Sequence, residues 1–242
     1  MSNSHANGHH SGSPPELVLA HTSDLHIGGR THGRGELATL EAVLEAAHEA
    51  QAHALILAGD VFDSHRAPAH VVEGVARMLA ASALDVVILP GNHDPATPDA
   101  VYRRGIADVP NVYVLGVSVG DSVRFPHLGL EVTGLPHVAY ADMSPLASVG
   151  ERSMPWHVVV AHGHWVTGPH DAHRGWLIHD HEIAATGADY VALGHWDVPQ
   201  PVGDGSVPAY YSGSPEIAKT VNIVRFSAAG VEVRRHPLRL EH

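Results

Sequence analysis

Residues 54–66 read ALILAGDVFDSHR. The first five, Ala54 to Ala58, are all apolar and present no polar face. Such a short run suits a strand covered on both sides, as in a sheet flanked by helices. It stops at Gly59, and the carboxylates Asp60 and Asp63 come next. The flanking sequence supports this reading. Upstream, "LVLAHT" predicts a strand over Leu17 to Thr22. Glu36 to Gln51 then reads as a helix, with Leu37, Leu40, Val43, Leu44 and Ala47 on its buried face. Downstream, a helix is predicted from about Ala69 to Ala83, and "DVVILP" is the next strand. The order β-α-β-α-β predicts an α/β domain with right-handed crossovers.

The second half leans toward β structure. Val112 to Leu115, Val123 to Phe125, Leu130 to Gly134, Trp156 to Ala161 and Tyr190 to Leu193 read as strands. A short helix is predicted at His181 to Ala185, ended by Gly187. Tyr210 to Ser212, Asn222 to Ser227 and Val231 to His236 read as a closing meander, with "SAAG" as its hairpin turn. The fold class is α/β: a two-layer β-sandwich flanked by helices. Residues 1–16 read as a disordered leader and 17–242 as a single domain.

The 242 residues contain no cysteine, which excludes disulfides and thiolate ligands. A cytoplasmic location is the default. No apolar run is long enough to span a bilayer, so no membrane role is expected. The formal net charge is −12, with no cluster of Lys or Arg that would make a basic face, so autonomous binding of duplex DNA is not expected. Histidine is the outlier, at 23 residues.

Ligands of open α/β sheets sit at the carboxyl ends of strands, so the residues just after each buried strand matter. The first strand ends in Asp24 and His26, the second in Asp60 and Asp63, the third in Asn92, His93 and Asp94. "HVVVA" ends in His162 and His164, and "YVALG" in His195 and Asp197. Carboxylate, amide and imidazole ligands without sulfur suit two divalent metal ions, Mn2+ first, with Fe, Zn2+ or Mg2+ as alternatives. About seven ligands exceed the needs of one ion but serve two ions that share a carboxylate. Each motif alone has a plainer reading as a turn. Five together in this order do not.

The order D-x-H, G-D-x-x-D, G-N-H-D, H-G, G-H resembles the calcineurin-like metallophosphoesterase superfamily, whose fold is a four-layer α/β/β/α sandwich. Within it "TSDLHIG", "AGDVFDSHRAP", "LPGNHD", "ALGHW" and "YYSGSPE" are similar to the nuclease core of SbcD-type DNA-repair exonucleases. The resemblance implies that Asp24 and His26 bind a first metal, that Asp60 bridges, and that Asn92, His162 and His195 bind a second. It makes His93 the catalytic histidine with Asp94 orienting it, and Asp63 a supporting group. One position departs: the family ends its last motif G-H-x-H, whereas this chain has Asp197 there. Aspartate is a competent, harder ligand, and Asp197 is expected to take the place.

The function implied is dinuclear-metal-dependent hydrolysis of phosphodiester bonds by metal-activated hydroxide, as a nuclease or nucleotide phosphodiesterase. A phosphomonoesterase or phosphoprotein phosphatase on the same core is the alternative, and a non-catalytic metal-bearing scaffold a third. Full-length SbcD-type members carry further segments for DNA capping and for an ATPase partner, which are not expected in the residues after Asp197. The substrate expected is a phosphoester, a nucleotide or a short nucleic acid. The stretch His164 to Glu182 is expected to overhang the site. Within it His164 reads either as a substrate contact or as an ordinary loop histidine, and His173, Arg174 and Trp176 as groups that can bind phosphate or stack a base.

Overall fold

The computed structural model describes residues 15–29, 37–147, 150, 152–171 and 173–240. Its strands are β1 (Leu17–Thr22), β2 (Ala54–Ala58), β3 (Asp85–Leu89), β4 (Val112–Val114), β5 (Ser122–Phe125), β6 (Leu130–Thr133), β7 (Trp156–His162), β8 (His164–Trp165), β9 (Leu177–Ile178), β10 (Tyr190–Gly194), β11 (Gln200–Val202), β12 (Ala209–Tyr211), β13 (Thr220–Ser227) and β14 (Gly230–Pro237). Its helices are α1 (Ala38–Glu49), α2 (Ala69–Ala81), α3 (Asp180–Ala185) and α4 (Pro215–Ala218). Of the predicted leader, residues 1–14 lie outside the described residues, as does Glu36 at the predicted start of α1. Pro15 is placed, and its carbonyl accepts a hydrogen bond from Trp156 Nε1 at 2.7 Å.

Two six-stranded sheets form, ordered β14-β13-β1-β2-β3-β4 and β11-β12-β10-β7-β6-β5. Strand alternation sorts their side chains into layers. Val18, Leu55, Leu57, Val86 and Ile88 face α1 and α2, meeting Leu40, Val43, Val71 and Val75. Leu17, Leu19, Ile56, Val87 and Leu89 face the other way, against Trp156, Val158, Val160 and Tyr190 of the second sheet. The far face of that sheet, with Val159, Val191 and Leu193, packs on Leu146, Ile178 and Ile183. The arrangement is therefore an α/β sandwich of two sheets flanked by helices. Its outer cover on the second sheet is thin: the six-residue α3 and the short β8–β9 pair.

The closing meander is corrected. β12 lies in the second sheet, parallel to β10, while β13 runs antiparallel to β1 in the first. Periodicity identifies a strand by its buried faces and does not say which sheet it joins. The predicted hairpin is present, turning between Ser227 and Gly230. β1, β2 and β3 run parallel to one another, as do β7 and β10. Their carboxyl ends carry the predicted polar residues.

Candidate metal centre

The loops after β1 and β2 run side by side. Asp24 N donates to Gly59 O, His26 N to Asp60 O and Ile27 N to Val61 O, all at 2.9–3.0 Å, and Asp63 N returns to Ile27 O at 3.1 Å. This main-chain ladder brings Asp24 beside Asp60 whatever their side chains do. It needs left-handed backbone at Asp24 (φ 55°), His26 (φ 48°) and Asp60 (φ 52°), and His195 has φ 104°. Such conformations cost non-glycine residues on the order of 1–3 kcal/mol each and cluster at functional sites. Two glycines permit the close approach. A Cβ on Gly59 would lie 2.0 Å from His162 Nδ1, and one on Gly194 would lie 1.8 Å from Ala58 O. At this point the two sheets touch.

Each carboxylate is held by a main-chain amide from another loop. His93 N donates to Asp60 Oδ1 at 2.9 Å, and His195 N to Asp24 Oδ2 at 3.0 Å. His162 Nδ1 donates to Ala58 O at 2.9 Å, which turns Nε2 toward Asp60 Oδ2 (3.2 Å) and Asn92 Oδ1 (3.0 Å). His195 Nδ1 stands 3.2 Å from the same Asn92 oxygen. Asp24, Asp60 and His162 are all buried and their ligand atoms lie within 4.8 Å of one another. A second group with the same spacing, more exposed, is His26, Asp63 and His93. His26 Nδ1 is buried without a hydrogen-bond partner, 3.6 Å from Asp63 Oδ1.

The electrostatics reflect this crowding. Burial raises the Asp24 carboxyl, and the Asp60 charge adds to it against the opposing His162. Burial also works to raise Asp60, but the charge and hydrogen bond of His162 outweigh it and hold Asp60 below the usual carboxylate range. Burial opposes the proton on His162, yet Asp60 and Asp24 push that histidine up to about 10. Burial and the neighbouring His162 charge lower His195 to about 3. Two buried carboxylates, an inward amide oxygen and an imidazole whose Nε2 faces the oxygens of Asp60 and Asn92 form a set that a cation fits.

Asp24, Asp60, Asn92, His162 and His195 are thus brought together, with His26 and His93 beside them. Two residues stand elsewhere than expected. Asp94 does not reach the His93 ring: it is fully buried, with Oδ1 accepting from Gly91 N (2.8 Å) and Oδ2 from Phe62 N (2.9 Å) and Tyr102 Oη (2.5 Å). Burial and the Asp60 charge raise it to about 6. Asp94 therefore clamps the loops after β2 and β3, and His93 is positioned instead by Asp63 O, 3.1 Å from its Nδ1. Asp197 joins neither group: it is exposed, and its carbonyl accepts from Ser214 N at 3.1 Å. The intervening Trp196 explains this, because it stacks on Tyr211 (5.1 Å, 15°) and donates from Nε1 to His164 Nδ1 at 3.2 Å, fixing the turn.

His164 is settled by the same bond. Its Nε2 donates to the buried Asp171 at 3.0 Å, so both ring nitrogens are engaged within the protein. Asp171 also accepts from Thr167 N, Thr167 Oγ1 and Gly168 N. Those bonds, led by the Thr167 amide, hold it below the usual range. Sequence reading missed Asp171, Tyr102 and the place of Asp63 beside His26 and His93. The only signal for the last was the second carboxylate of G-D-x-x-D.

The sequence profile of the calcineurin-like phosphoesterases matches residues 17–199, which span every candidate ligand described above. The chain belongs to this family. Curated relatives of this calcineurin-like phosphoesterase include the SbcD component of the nuclease SbcCD from Escherichia coli K12, 26% identical over 89% of this chain and 66% of the relative. The SbcD component from Bacillus subtilis is 24% identical over 82% of this chain and 61% of its own length. The chain thus spans about two thirds or less of these relatives. Among solved structures, the Thermus thermophilus protein TT1561 shares the phosphoesterase's fold, with a TM-score of 0.57 at 14% identity over 91% of this chain and 99% of that one. No helix among the described residues is long and apolar enough to cross a membrane.

Proposed function

We propose that this phosphoesterase hydrolyses phosphodiesters with two divalent cations. Asp24, His26 and Asp60 serve one cation, and Asp60, Asn92, His162 and His195 the other. The reading rests on one observation above all: Asp60 Oδ2 and Asn92 Oδ1 both lie within 3.2 Å of His162 Nε2, at the joint carboxyl edge of both sheets. Bound there, divalent cations supply the positive charge that gathers phosphate oxygens and makes water nucleophilic near neutral pH. Mn2+ is favoured by the mixed carboxylate, amide and imidazole donors.

The chain supplies orientation and a proton. The amides of His93 and His195 hold Asp60 and Asp24 so that neither swings away as charge shifts. Asp63 O engages Nδ1 of the exposed His93, which leaves Nε2 to face substrate. As a water oxygen bonds phosphorus and the bond to the leaving oxygen breaks, the His93 imidazolium gives its Nε2 proton to that oxygen. The proton released by the water restores the balance. Help of this kind is typically worth about 10²–10⁴-fold.

The names of the SbcD relatives support a diester over a monoester. The net charge of −12 supports a small diester or a short single strand over autonomous binding of a duplex. The test pairs metal content by mass spectrometry with hydrolysis of bis-p-nitrophenyl phosphate and of its monoester in Mn2+. Two metals per chain with diesterase activity is the expected result. Monoesterase activity alone would replace this reading with a phosphatase.

A further inference from the structure

The rim of the centre carries groups that hydrolysis itself does not use. Beside His93 opens a recess of about 510 Å3, lined by Asp63, Asn92 and His93 together with Arg66, Tyr140 and Trp176. Recesses of a few hundred Å3 suit a ligand of nucleotide size. Tyr140 is 57% exposed, an unusual place for a large ring. It is nonetheless anchored: its Oη lies 2.7 Å from His65 Nδ1, and Arg104 Nη1 clamps that loop by donating to Ala67 O at 2.8 Å. Trp176 is pinned at both donors, its amide to Asp142 Oδ1 (2.6 Å) and its indole N–H to Ala141 O (3.1 Å). Its ring rests against His195, centroids 5.7 Å apart, and its backbone is left-handed at φ 55°. Among the described residues the two rings do not stack on each other: Tyr140 meets His65, and Trp176 meets His137 and His195, all edge-on. Arg66 is exposed and makes no ion pair among the described residues, although the chain is strongly acidic.

We propose that this recess is the leaving-group subsite and takes a nucleobase-bearing group. The base stacks on Tyr140 and Trp176, and Arg66 meets a further phosphate on the same group. The proposal rests on the phosphodiesterase reading of the adjoining centre, because His93, which protonates the leaving oxygen, lines the recess. Stacking on aromatic rings accepts any base, so the subsite selects for a base without reading which one.

The test compares a dinucleotide with its two abasic counterparts, each missing the base on one side, using the Mn2+-loaded protein. Products identify the leaving side. Loss of the leaving-side base is expected to lower kcat/KM roughly 5- to 100-fold. Tyr140→Ala should bring the ratio of base-bearing to abasic rates close to one, and Tyr140→Phe should keep it. Equal wild-type rates with and without that base, or a cost confined to the base on the retained side, would overturn the subsite alone. If no diester is hydrolysed at all, the phosphodiesterase reading fails and the subsite fails with it.

Discussion

The loops after β1, β2 and β3 and the loops around β7 and β10 meet at one centre but are held in place differently. On the first sheet the chain leaves each strand and within a few residues is locked by main-chain bonds, Asp24 to Gly59, His26 to Asp60 and Ile27 to Val61. On the second sheet His162 and His195 sit at the strand ends, but the surrounding chain is longer and is latched by side chains. Asp171 gathers Thr167, Gly168 and His164, Asp142 holds Trp176, and Trp196 stacks on Tyr211. A main-chain ladder fixes position for any side chain that tolerates the backbone. Side-chain latches exist only while particular residues are present. The first region therefore suits an invariant cation cradle, and the second a rim that can change with the substrate.

Removing the shared carboxylate should break the centre outright. Asp60→Ala is expected to lower diester hydrolysis on the order of 10³-fold or more and to deplete bound metal, since it removes several kcal/mol of charge stabilisation. Metal analysis beside kinetics checks this, and a rate within about tenfold of wild type would detach Asp60 from the chemistry.

The ladder itself can be probed with glycines. Gly59 (φ 92°) and Gly205 (φ 86°) share the left-handed backbone, but an added Cβ at Gly59 meets His162 whereas one at Gly205 meets open space. Gly205→Ala should cost only the backbone strain, about 1–2 kcal/mol. Gly59→Ala adds a clash with a buried ring and should cost about 4 kcal/mol or more, as urea unfolding would report. Equal costs would mean that the sheets do not need their close approach.

The latched region should behave differently. Asp171→Ala removes the acceptor for Thr167, Gly168 and His164. Bound metal should be retained, hydrolysis should fall by less than about tenfold, and the Thr167 and Gly168 amides should exchange hydrogen faster. Loss of metal in this variant would erase the distinction between the two regions.

A further prediction concerns acid. His21 on β1 bonds Tyr190 on β10 across the sheet interface, at 2.8 Å, and burial lowers it to about 3 from 6.5. On acidification the unfolded chain takes up this proton first. Stability from neutral His21 is therefore full above pH 6.5 and is lost as pH falls from 6.5 toward 3. The wild-type slope of stability with pH should exceed that of His21→Gln by up to about 1.4 kcal/mol per pH unit in that window. Parallel slopes would place the His21 proton elsewhere.

Read alone, the chain specifies its strands and the order of its metal-binding side chains. Runs such as ALILA and DVVIL have one stable use in a protein of this size, burial on both faces, and each soon gives way to a glycine and polar groups. Local chemistry also places the Ser227–Gly230 hairpin. Only the tertiary structure decides which sheet takes β12, that Asp94 clamps two loops instead of holding His93, and that Trp196 keeps Asp197 out of the centre. It also decides that Tyr140 and Trp176, far apart in sequence, line one recess. Periodicity and short motifs report burial and residue type along a few consecutive positions. Partners such as Asp94 with Phe62, or Trp196 with Tyr211, are distant in sequence, and they are chosen when the two sheets close on one another.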